Sequence, residues 1–432
     1  MFSWLLNALY MDLLLAVSPY WLTLLPRARR YRCGLLERAG FSPVLTKQTR
    51  RLWIHCASVG EASIPRQLVS DFTDRHPDWD VVFSTWTDTG ADRLHKLYPD
   101  ATVFYWPLDI SLSVDAALNR VRPDAIMLVE QELWPNFLLR CRKRDIPVAI
   151  INGRINPGSV RLLRGLNRLV KPLWDPVELC CSRSDIDAQR FINAGLIPER
   201  VINTGSLKYD SLPLEVDPVT QRDLAELFGL KKDQPVIVGG STHPGEEEIL
   251  CHIWKRLRRS HADLQLLLAP RHIERANSLA ADLKSQGFSV VRKTELEKNS
   301  VRPGDDSVIL VDTIGDLVTC YSLATCVFVG RSLLPPGGGQ NMMEPAGLGK
   351  PVLVGPHTDN FQPEMKLLCK NNAVKIAEDE AALQKELGTI LRDNTDAQKM
   401  GQRARQTVIA NRGAAEDSLN RLEKLLVDKG LL

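Results

Sequence analysis

Charged side chains follow apolar runs at three points in the first half of this 432-residue chain. Glu61 comes shortly after the run LWI, Glu130 ends the run AIMLVE, and Lys208 follows RVINTG. Open α/β sheets place their chemistry at such strand–helix junctions, and a lysine there can hold an anionic substrate. The alternatives are an acid favoured by the helix dipole for Glu61, a salt bridge for Glu130 and a surface position for Lys208.

Residues suited to an anionic ligand are concentrated in the second half of the chain. Pro270-Arg271 places a guanidinium after an apolar run, and the stretch GGGQNMMEP, 337–345, begins with three glycines that let the backbone approach a ligand closely. Asn341 and Glu344 are three residues apart, so a helix that begins there places both on one face. A glutamate in this place can accept hydrogen bonds from ribose hydroxyls. The alternative interpretation is a glycine-rich turn before a capped helix.

Apolar runs that alternate with helical stretches supply the strands that must position these residues. Continuous apolar strands separated by helices predict parallel sheets covered on both faces. The segment 211–220, rich in proline and acid, is typical of a linker, so we predict two Rossmann-like, doubly wound α/β domains facing a cleft. We expect an N-terminal segment over 1–30, a first domain over 31–212 and a second over 213–432. The predicted strands cover 51–57, 80–86, 101–107, 125–131, 147–153, 177–182, 200–205, 235–241, 264–270, 307–312, 325–331 and 351–356.

The N-terminal segment is mostly apolar over 2–25, with tryptophan and tyrosine towards its ends. A basic block follows it, namely Arg27, Arg29, Arg30 and Arg32. No positive charge precedes the apolar run, which argues against a signal peptide, and the arginines favour a cytoplasmic position. Asp12 and Pro19 weaken a straight span, so a helix lying in the inner leaflet competes with a true span. An ordinary buried helix hairpin is the other alternative.

Composition excludes several classes of protein. With 44% hydrophobic and 25% charged residues, the chain is typical of a globular protein rather than a disordered, collagenous or coiled-coil one. A net charge of +3 is too weak to predict a nucleic-acid partner. The nine cysteines have no metal-ligand spacing and indicate a reducing compartment. The acidic triplet Asp185-Ile186-Asp187 follows SRS, which favours helix capping over a divalent metal.

The order and spacing of the motifs resemble those of the Kdo transferases of lipopolysaccharide synthesis. These enzymes move 3-deoxy-D-manno-octulosonic acid (Kdo) from its CMP-activated form to a lipid A precursor. The resemblance runs over nearly the whole chain. The matching segments are Ser58-Val59-Gly60-Glu61, Glu132-Leu133-Trp134-Pro135-Asn136, Gly205-Ser206-Leu207-Lys208, Pro270-Arg271, Asn341 through Pro345, and Gly355-Pro356-His357 with Asn360-Phe361.

The resemblance implies a fold, a reaction and a set of site residues. The fold is the two-domain GT-B fold, with the acceptor in the first domain and the CMP-sugar donor in the second. The reaction transfers Kdo from CMP-Kdo to lipid IVA with inversion, needs no metal or cofactor, and occurs at the cytoplasmic face of a Gram-negative inner membrane, beside anionic lipid. Glu61 resembles the general base, and Glu130 and Lys208 match positions that stabilise the transition state. The matching donor-binding residues are Pro270, Arg271, Ile314, Gly315, Asp316, Asn341, Met342, Met343 and Glu344.

Three residues depart from the family pattern on the donor side. Gln340 stands where the family usually has histidine before asparagine, Arg331 replaces the second glycine of a Gly-Gly-Ser segment, and Asp316 stands where glutamate is common. Two other functions therefore remain as alternatives. One is a GT-B glycosyltransferase with a different nucleotide-linked donor, and the other is an inactive membrane scaffold for lipid A assembly.

Overall fold

The computed structural model describes residues 34–46, 49–130, 133–165, 167–298 and 303–432. The chain forms two compact units. Unit 1 runs to Ser211 and is completed by Asn411–Leu432, and unit 2 is Leu212–Ala410. The division falls within the predicted linker. At the other end the assignment differs, because 411–432 was predicted to belong to the second domain.

Unit 1 alternates strands and helices along the chain. Its strands are β1 (Arg50–His55), β2 (Trp79–Thr85), β3 (Val103–Tyr105), β4 (Ala125–Val129), β5 (Val148–Gly153), β6 (Val177–Ser182) and β7 (Val201–Asn203). Its helices are α1 (Leu35–Arg38), α2 (Val59–Ala62), α3 (Arg66–Arg75), α4 (Asp88–Leu97), α5 (Ser111–Val121), α6 (Pro135–Lys143), α7 (Pro157–Gly165), α8 (Asn167–Trp174), α9 (Asp185–Asn193) and, after unit 2, α19 (Ala414–Asp428).

The strands of unit 1 form a seven-stranded sheet in the order β3-β2-β1-β4-β5-β6-β7. Neighbouring strands are parallel, as between β1 and β4, where Leu52 pairs with Ala125. Alternate residues of β1 enter different cores: Leu52 and Ile54 pack on one face, and Trp53 packs on the other. Both faces are therefore buried, which explains why these strands are apolar without a polar alternate.

Helix α19 belongs to unit 1 because its apolar face completes one of these cores. The leucines that it contributes are Leu419, Leu422 and Leu426, all fully buried. Asp210 fixes the start of the helix, since its carboxylate accepts hydrogen bonds from the N–H groups of Gly413 at 2.6 Å and Ala415 at 2.8 Å. Full burial of a leucine contributes about 1.5–3 kcal/mol, so these contacts decide which unit holds the helix.

Unit 2 repeats the alternation of strands and helices. Its strands are β8 (Val236–Thr242), β9 (Gln265–Pro270), β10 (Ser289–Arg292), β11 (Ser307–Leu310), β12 (Cys326–Val329), β13 (Val352–Val354) and β14 (Lys375–Ile376). Its helices are α10 (Pro218–Leu227), α11 (Glu246–Leu257), α12 (Ala276–Ser285), α13 (Lys293–Glu297), α14 (Leu317–Leu323), α15 (Met343–Gly347), α16 (Gln362–Lys370), α17 (Glu380–Arg392) and α18 (Thr395–Ala410).

The sheet of unit 2 has the order β10-β11-β9-β8-β12-β13-β14. Its paired strands are parallel, and a buried core that includes Leu250, Trp254 and Leu268 covers one face. Aspartate, a residue that favours the N-cap position, caps two of its helices: Asp217 accepts from the N–H of Thr220, and Asp379 accepts from that of Ala382.

The prediction of two parallel-sheet α/β domains is confirmed. None of the helices in the described part of the chain is both long and apolar enough to cross a membrane. The predicted membrane segment, 2–25, and the arginine block that follows it lie outside the described residues. The predicted cleft stays a prediction.

Candidate active site

Unit 1 presents two acidic side chains at the point where its strand order reverses. Chain connections leave β1 and β4 in opposite directions along the sheet, so a crevice opens beyond their carboxyl ends. Glu61 lies six residues after the last residue of β1, and Glu130 directly follows β4. The sequence predicted that both residues follow strands, and the fold adds that the two strands are neighbours.

The carboxylate of Glu61 is held by the turn that carries it. Ser58 precedes α2, and Glu61 lies in the first turn of that helix. One carboxylate oxygen accepts from the N–H of Ala57 at 2.7 Å, and the other accepts from the hydroxyl of Ser58 at 3.0 Å. A carboxylate has about four lone-pair sites, so an oriented Glu61 is compatible with a further hydrogen bond from a substrate hydroxyl.

Glu130 and Lys208 form an ion pair that a buried amide supports. The Nζ of Lys208 lies 3.6 Å from Oε1 of Glu130, with the lysine half-exposed and the glutamate mostly buried. Asn152, at the end of β5, is fully buried and donates through Nδ2 to the same Oε1 at 3.4 Å. Its Oδ1 accepts from the N–H of Leu207 at 3.1 Å. Asn152 therefore connects the acid to the segment that carries the lysine.

Sequence reasoning missed Asn152. The only signal was a polar side chain inside the apolar strand PVAIING, and a buried amide there is equally typical of a satisfied core residue. Both Asn152 and Glu130 have left-handed backbones, with φ of 54° and 62°. Such backbones cost roughly 1–2 kcal/mol for residues other than glycine. Strained positions of this kind concentrate at functional sites, which marks the ends of β4 and β5 as a site.

The motif residue Asn136 has a structural task. It is fully buried at the start of α6, and its N–H donates to the carboxylate of Asp109 at 3.0 Å. The N–H of Phe137 donates to the same carboxylate at 2.8 Å. These bonds satisfy the start of the helix. Trp134 packs beside Trp86, with the ring centroids 5.3 Å apart, and Glu132 lies outside the described residues.

In unit 2 the predicted donor-binding residues follow the ends of several neighbouring strands. Pro270 ends β9, and the exposed Arg271 next to it is tied to β8 by a hydrogen bond from its N–H to the carbonyl of Thr242 at 3.0 Å. The strand order of this sheet reverses between β8 and β12. The carboxyl edge of unit 2 is therefore a second place where an open α/β sheet binds ligands.

Asn341 and Glu344 lie on one face at the start of α15, as predicted. The side-chain amide of Asn341 donates to Oε1 of Glu344 at 3.0 Å, and its Oδ1 accepts from the N–H of Met343 at 3.1 Å. Met342 and Met343 are buried. Burial raises the pKa of Glu344, while the Asn341 amide and the Arg271 guanidinium act in the opposite direction. One hydrogen-bond donor and one nearby cation therefore favour the ionised form of Glu344.

In the loop after β11, the apolar side chain of Ile314 is exposed, whereas the carboxylate of Asp316 bonds to other residues of the protein. Ile314 is 85% exposed, and Gly315 has a positive φ of 106°. Asp316 accepts from the hydroxyl of Thr313 and pairs with the buried Lys293, whose Nζ lies 3.2 Å from Oδ2. Asp316 thus fixes the loop, and the side chain of Ile314 is exposed to solvent.

Sequence reasoning also missed Glu246, a buried acid at the start of α11. It is 1% exposed, and its carboxylate accepts hydrogen bonds from four backbone N–H groups. These donors belong to His243, Arg331, Ser332 and Leu333, at 2.7–3.0 Å. The carboxylate therefore connects the ends of β8 and β12 at the reversal point.

The acidic triplet after β6 forms the first turn of α9, which Ser184 caps, in agreement with the predicted capping pattern. Ser184 accepts from the N–H of Asp187 at 3.2 Å, and Arg183 donates to the carboxylate of Asp187 at 2.9 Å. Within the described ranges, no group of three or more histidine, cysteine, aspartate or glutamate side chains is placed to hold a metal ion.

Known proteins resemble this chain in sequence. The family model for 3-deoxy-D-manno-octulosonic-acid transferase (kdotransferase) matches residues 33–211. A 3-deoxy-D-manno-octulosonic acid transferase of Haemophilus influenzae is 31% identical over 425 residues, which cover 96% of this chain and 98% of the relative. A probable mitochondrial 3-deoxy-D-manno-octulosonic acid transferase of Arabidopsis thaliana is 28% identical, with 86% of this chain and 84% of the relative covered.

A solved structure resembles this chain in fold. The UDP-GlcNAc 2-epimerase of Neisseria meningitidis, bound to UDP-GlcNAc, matches with a TM-score of 0.57 over 87% of this chain and 100% of its own. The two sequences are 13% identical. At that identity the likeness concerns the fold alone, in agreement with two parallel-sheet α/β units.

Proposed function

The chain belongs to the family of 3-deoxy-D-manno-octulosonic acid (Kdo) transferases, and from this premise we propose that it transfers Kdo from CMP-Kdo to lipid IVA, a lipid A precursor. The transfer inverts the anomeric carbon and uses no metal or other cofactor. The observation that carries the proposal is the arrangement at the reversal point of unit 1. There, Glu61 follows β1, and the Glu130–Lys208 pair follows β4 and β7.

Glu61 acts as the general base. A sugar hydroxyl is a poor nucleophile at neutral pH, and a carboxylate within hydrogen-bond reach can take its proton as the new bond forms. The hydrogen bonds from Ala57 and Ser58 keep the carboxylate at the first turn of α2 in one orientation. One base and one direct displacement of CMP give inversion.

Glu130 and Lys208 stabilise the transition state. Positive charge develops at the anomeric carbon and negative charge on the departing phosphate oxygen, so a fixed acid and a fixed cation favour both changes. Their 3.6 Å separation and the Asn152 amide hold the two side chains in place before the donor arrives. A pair organised in advance needs little reorganisation during the reaction.

Unit 2 binds the donor. The carboxylate of Glu344 accepts from the ribose hydroxyls, and Arg271, whose charge lies near Glu344, binds the phosphate. Pro270, Met342, Met343 and the loop 314–316 shape the space for the cytidine. Because the guanidinium of Arg271 holds the phosphate, this mechanism requires no metal.

We place the reaction at the cytoplasmic face of the inner membrane of a Gram-negative cell. The acceptor is a lipid, and residues 2–25 with the four arginines after them have the composition of a segment bound to anionic lipid. Nucleic acid is not a partner in this proposal.

The experiment is a transfer assay with purified protein, CMP-Kdo and lipid IVA, with products identified by mass and a parallel reaction in EDTA. We expect a mass increase of one or more Kdo residues in both reactions. A requirement for Mg²⁺ or Mn²⁺ would contradict the metal-free mechanism. No Kdo product, with CMP stabilising the protein against heat, would favour an inactive scaffold. Stronger stabilisation by UDP or GDP would favour a different donor.

A further inference from the structure

Arg331 occupies a backbone conformation that suits glycine. It lies two residues after β12 with a φ of 56°, a left-handed value that glycine adopts without the steric cost that a side chain brings. Its N–H donates to Glu246 at 2.7 Å, and its carbonyl accepts from the N–H of Gly339 at 2.7 Å. The backbone would keep these bonds with glycine, so the local fold does not explain the arginine side chain.

Hydrogen bonds to Glu246 fix the backbone that carries Arg331. Glu246 holds the N–H groups of Arg331, Ser332 and Leu333 together with that of His243. The Cα of Arg331 therefore keeps its place relative to the end of β8. Rigid support of this kind is what a ligand-binding side chain needs.

The Arg331 side chain lies near other basic groups. In the described part of the chain, the half-buried Arg331 side chain forms no salt bridge. Its charge, after burial, is among the causes that lower the pKa of His243, and His272 and Arg275 add to this effect. Glu246 is the acid that opposes it, but four N–H groups already share that carboxylate. The Gln340 amide lies 3.4 Å from Nε2 of His243.

We propose that Arg331, assisted by His243 and Gln340, binds the carboxylate of the sugar acid in the donor. This inference rests on the proposed function, because it takes CMP-Kdo as the donor. In an ulosonic acid of this kind the carboxylate is attached to the anomeric carbon, which in the donor also carries the phosphate oxygen. The donor therefore presents two neighbouring anions, and each requires a cation.

The strand order places two arginines to meet these anions. Arg271 follows β9 and Arg331 follows β12, and β8 lies between those strands. Strands two apart are separated by roughly 10 Å, and an arginine from each side can reach a group above the end of β8. Arg271 then binds the phosphate and Arg331 the carboxylate, with the planar guanidinium suited to two parallel hydrogen bonds.

The test compares CMP-Kdo with CMP, which lacks the sugar carboxylate. In Arg331→Gly, we expect KM for CMP-Kdo to rise by about 10- to 100-fold, the range for a lost hydrogen bond to a charged group. The Kd for CMP should stay within about 2-fold of the wild-type value, and the variant should be at least as stable in urea, because glycine suits the left-handed backbone. A purely structural arginine would give the opposite result: lower stability and weaker CMP binding together.

Arg122 offers a matched control in unit 1. It ends α5 with a φ of 51° and is exposed to solvent. Arg122→Gly makes the same exchange on the same kind of backbone, and it should leave KM unchanged. Arg331→Gln, which keeps a side chain at the site, should raise KM as the glycine variant does and serves in its place if that variant does not fold.

The outcomes separate this inference from the function on which it rests. If wild-type protein transfers Kdo and Arg331→Gly has the wild-type KM for CMP-Kdo, Arg331 does not bind the carboxylate. A loss of CMP affinity equal to the loss of CMP-Kdo affinity would also refute it. If the wild-type protein transfers no Kdo, the proposed function fails, and the inference fails with it.

Discussion

The hydrogen bonds of Glu61 suggest a substitution that tests its role as the general base. Glu61→Gln keeps the shape of the side chain, and its amide can still accept from Ala57 and donate to Ser58, whose hydroxyl can reverse its role. Basicity is lost, so we expect the turnover number to fall by about 10²- to 10⁴-fold. The measurement is the steady-state rate with saturating CMP-Kdo and lipid IVA.

The control for Glu61→Gln is folding and donor binding. The unfolding midpoint in urea and the Kd for CMP should match those of the wild type, since unit 2 is unchanged. A turnover number within about 3-fold of wild type would refute the role of Glu61 as base.

Glu344 gives a prediction about pH. Burial raises its pKa above the ordinary 4.5, so the folded protein binds more protons than the unfolded chain between that value and the raised one. Stability therefore falls as pH rises through this interval. Glu344→Gln removes the effect, and the stability of the variant relative to wild type should increase with pH across the same interval. Urea unfolding from pH 4 to pH 8 measures it.

Nucleotide binding by Glu344 should have the opposite pH dependence. Ribose hydroxyls donate to the ionised carboxylate, so CMP affinity should increase as pH rises through the raised pKa. In Glu344→Gln, binding should be weaker and should lose this dependence. Calorimetric titration with CMP across the pH range measures it, and an unchanged pH profile in the variant would exclude Glu344 from the ribose site.

Asn152 bonds to Glu130 and to Leu207, which follow different strands. A change of charge at Asn152 therefore tests its role in the site. Asn152→Asp keeps an acceptor for the N–H of Leu207 but places a second negative charge near Glu130. A like charge disfavours the ionised form of an acid. We expect turnover at pH 6–7 to fall by about 10-fold or more, equivalent to roughly 1.4 kcal/mol, with partial recovery at pH 8–9. A uniform loss at every pH would indicate a structural effect only.

At the scale of elements, Glu246 joins α11 to the turn after β12. In Glu246→Gln an amide group replaces one carboxylate oxygen and faces two N–H donors, and a buried unsatisfied donor costs about 1–3 kcal/mol. We expect the free energy of unfolding to fall by about 2–6 kcal/mol. Urea unfolding measures it.

Glu248 is the control for Glu246. It is exposed in the first turn of the same helix, and Glu248→Gln should change the free energy of unfolding by no more than about 0.5 kcal/mol. Equal effects of the two substitutions would contradict the assignment of Glu246 to the turn.

The elements differ in how well the sequence predicts them. The strands with apolar runs were predicted, and most of them lie inside the sheets and are buried on both faces. The edge strands β3 and β7 were predicted as well, within 101–107 and 200–205. The strands β10 and β14 were missed, since SVVR and KI contain no long apolar run, and both strands lie at the edges of their sheet. Short edge strands pair on one side only and need no long apolar run.

The residues of the candidate site also differ in how well the sequence predicts them. Glu61, Glu130 and Lys208 could be predicted because each is a charged residue at or shortly after the end of an apolar run. Asn152 and Glu246 could not, since their importance comes from bonds to residues distant in the chain. Such pairings depend on which strands are neighbours, and the sequence pattern does not contain the strand order.

For the whole molecule, the prediction concerns membrane binding. Deletion of 2–25 should release the protein from membranes and leave the Kd for CMP unchanged. Replacement of the four arginines after this segment by glutamine should weaken binding to anionic vesicles in a salt-dependent way, since each contributes about 1 kcal/mol near such a surface. Flotation with anionic and neutral vesicles measures both. Full membrane binding and full activity on vesicle-embedded acceptor after the deletion would refute the anchor.

Helix α19 follows unit 2 in the chain but packs in unit 1, and this affects the order in which the two units can fold during translation. Unit 2 is one continuous stretch, so all its contacts are available once residue 410 has emerged. Unit 1 lacks the leucines of α19 and the groups that bind Asp210 until synthesis has passed residue 428. The half that carries the proposed base is thus translated first and completed last. During translation its unfinished core is the surface that a chaperone or a protease would meet.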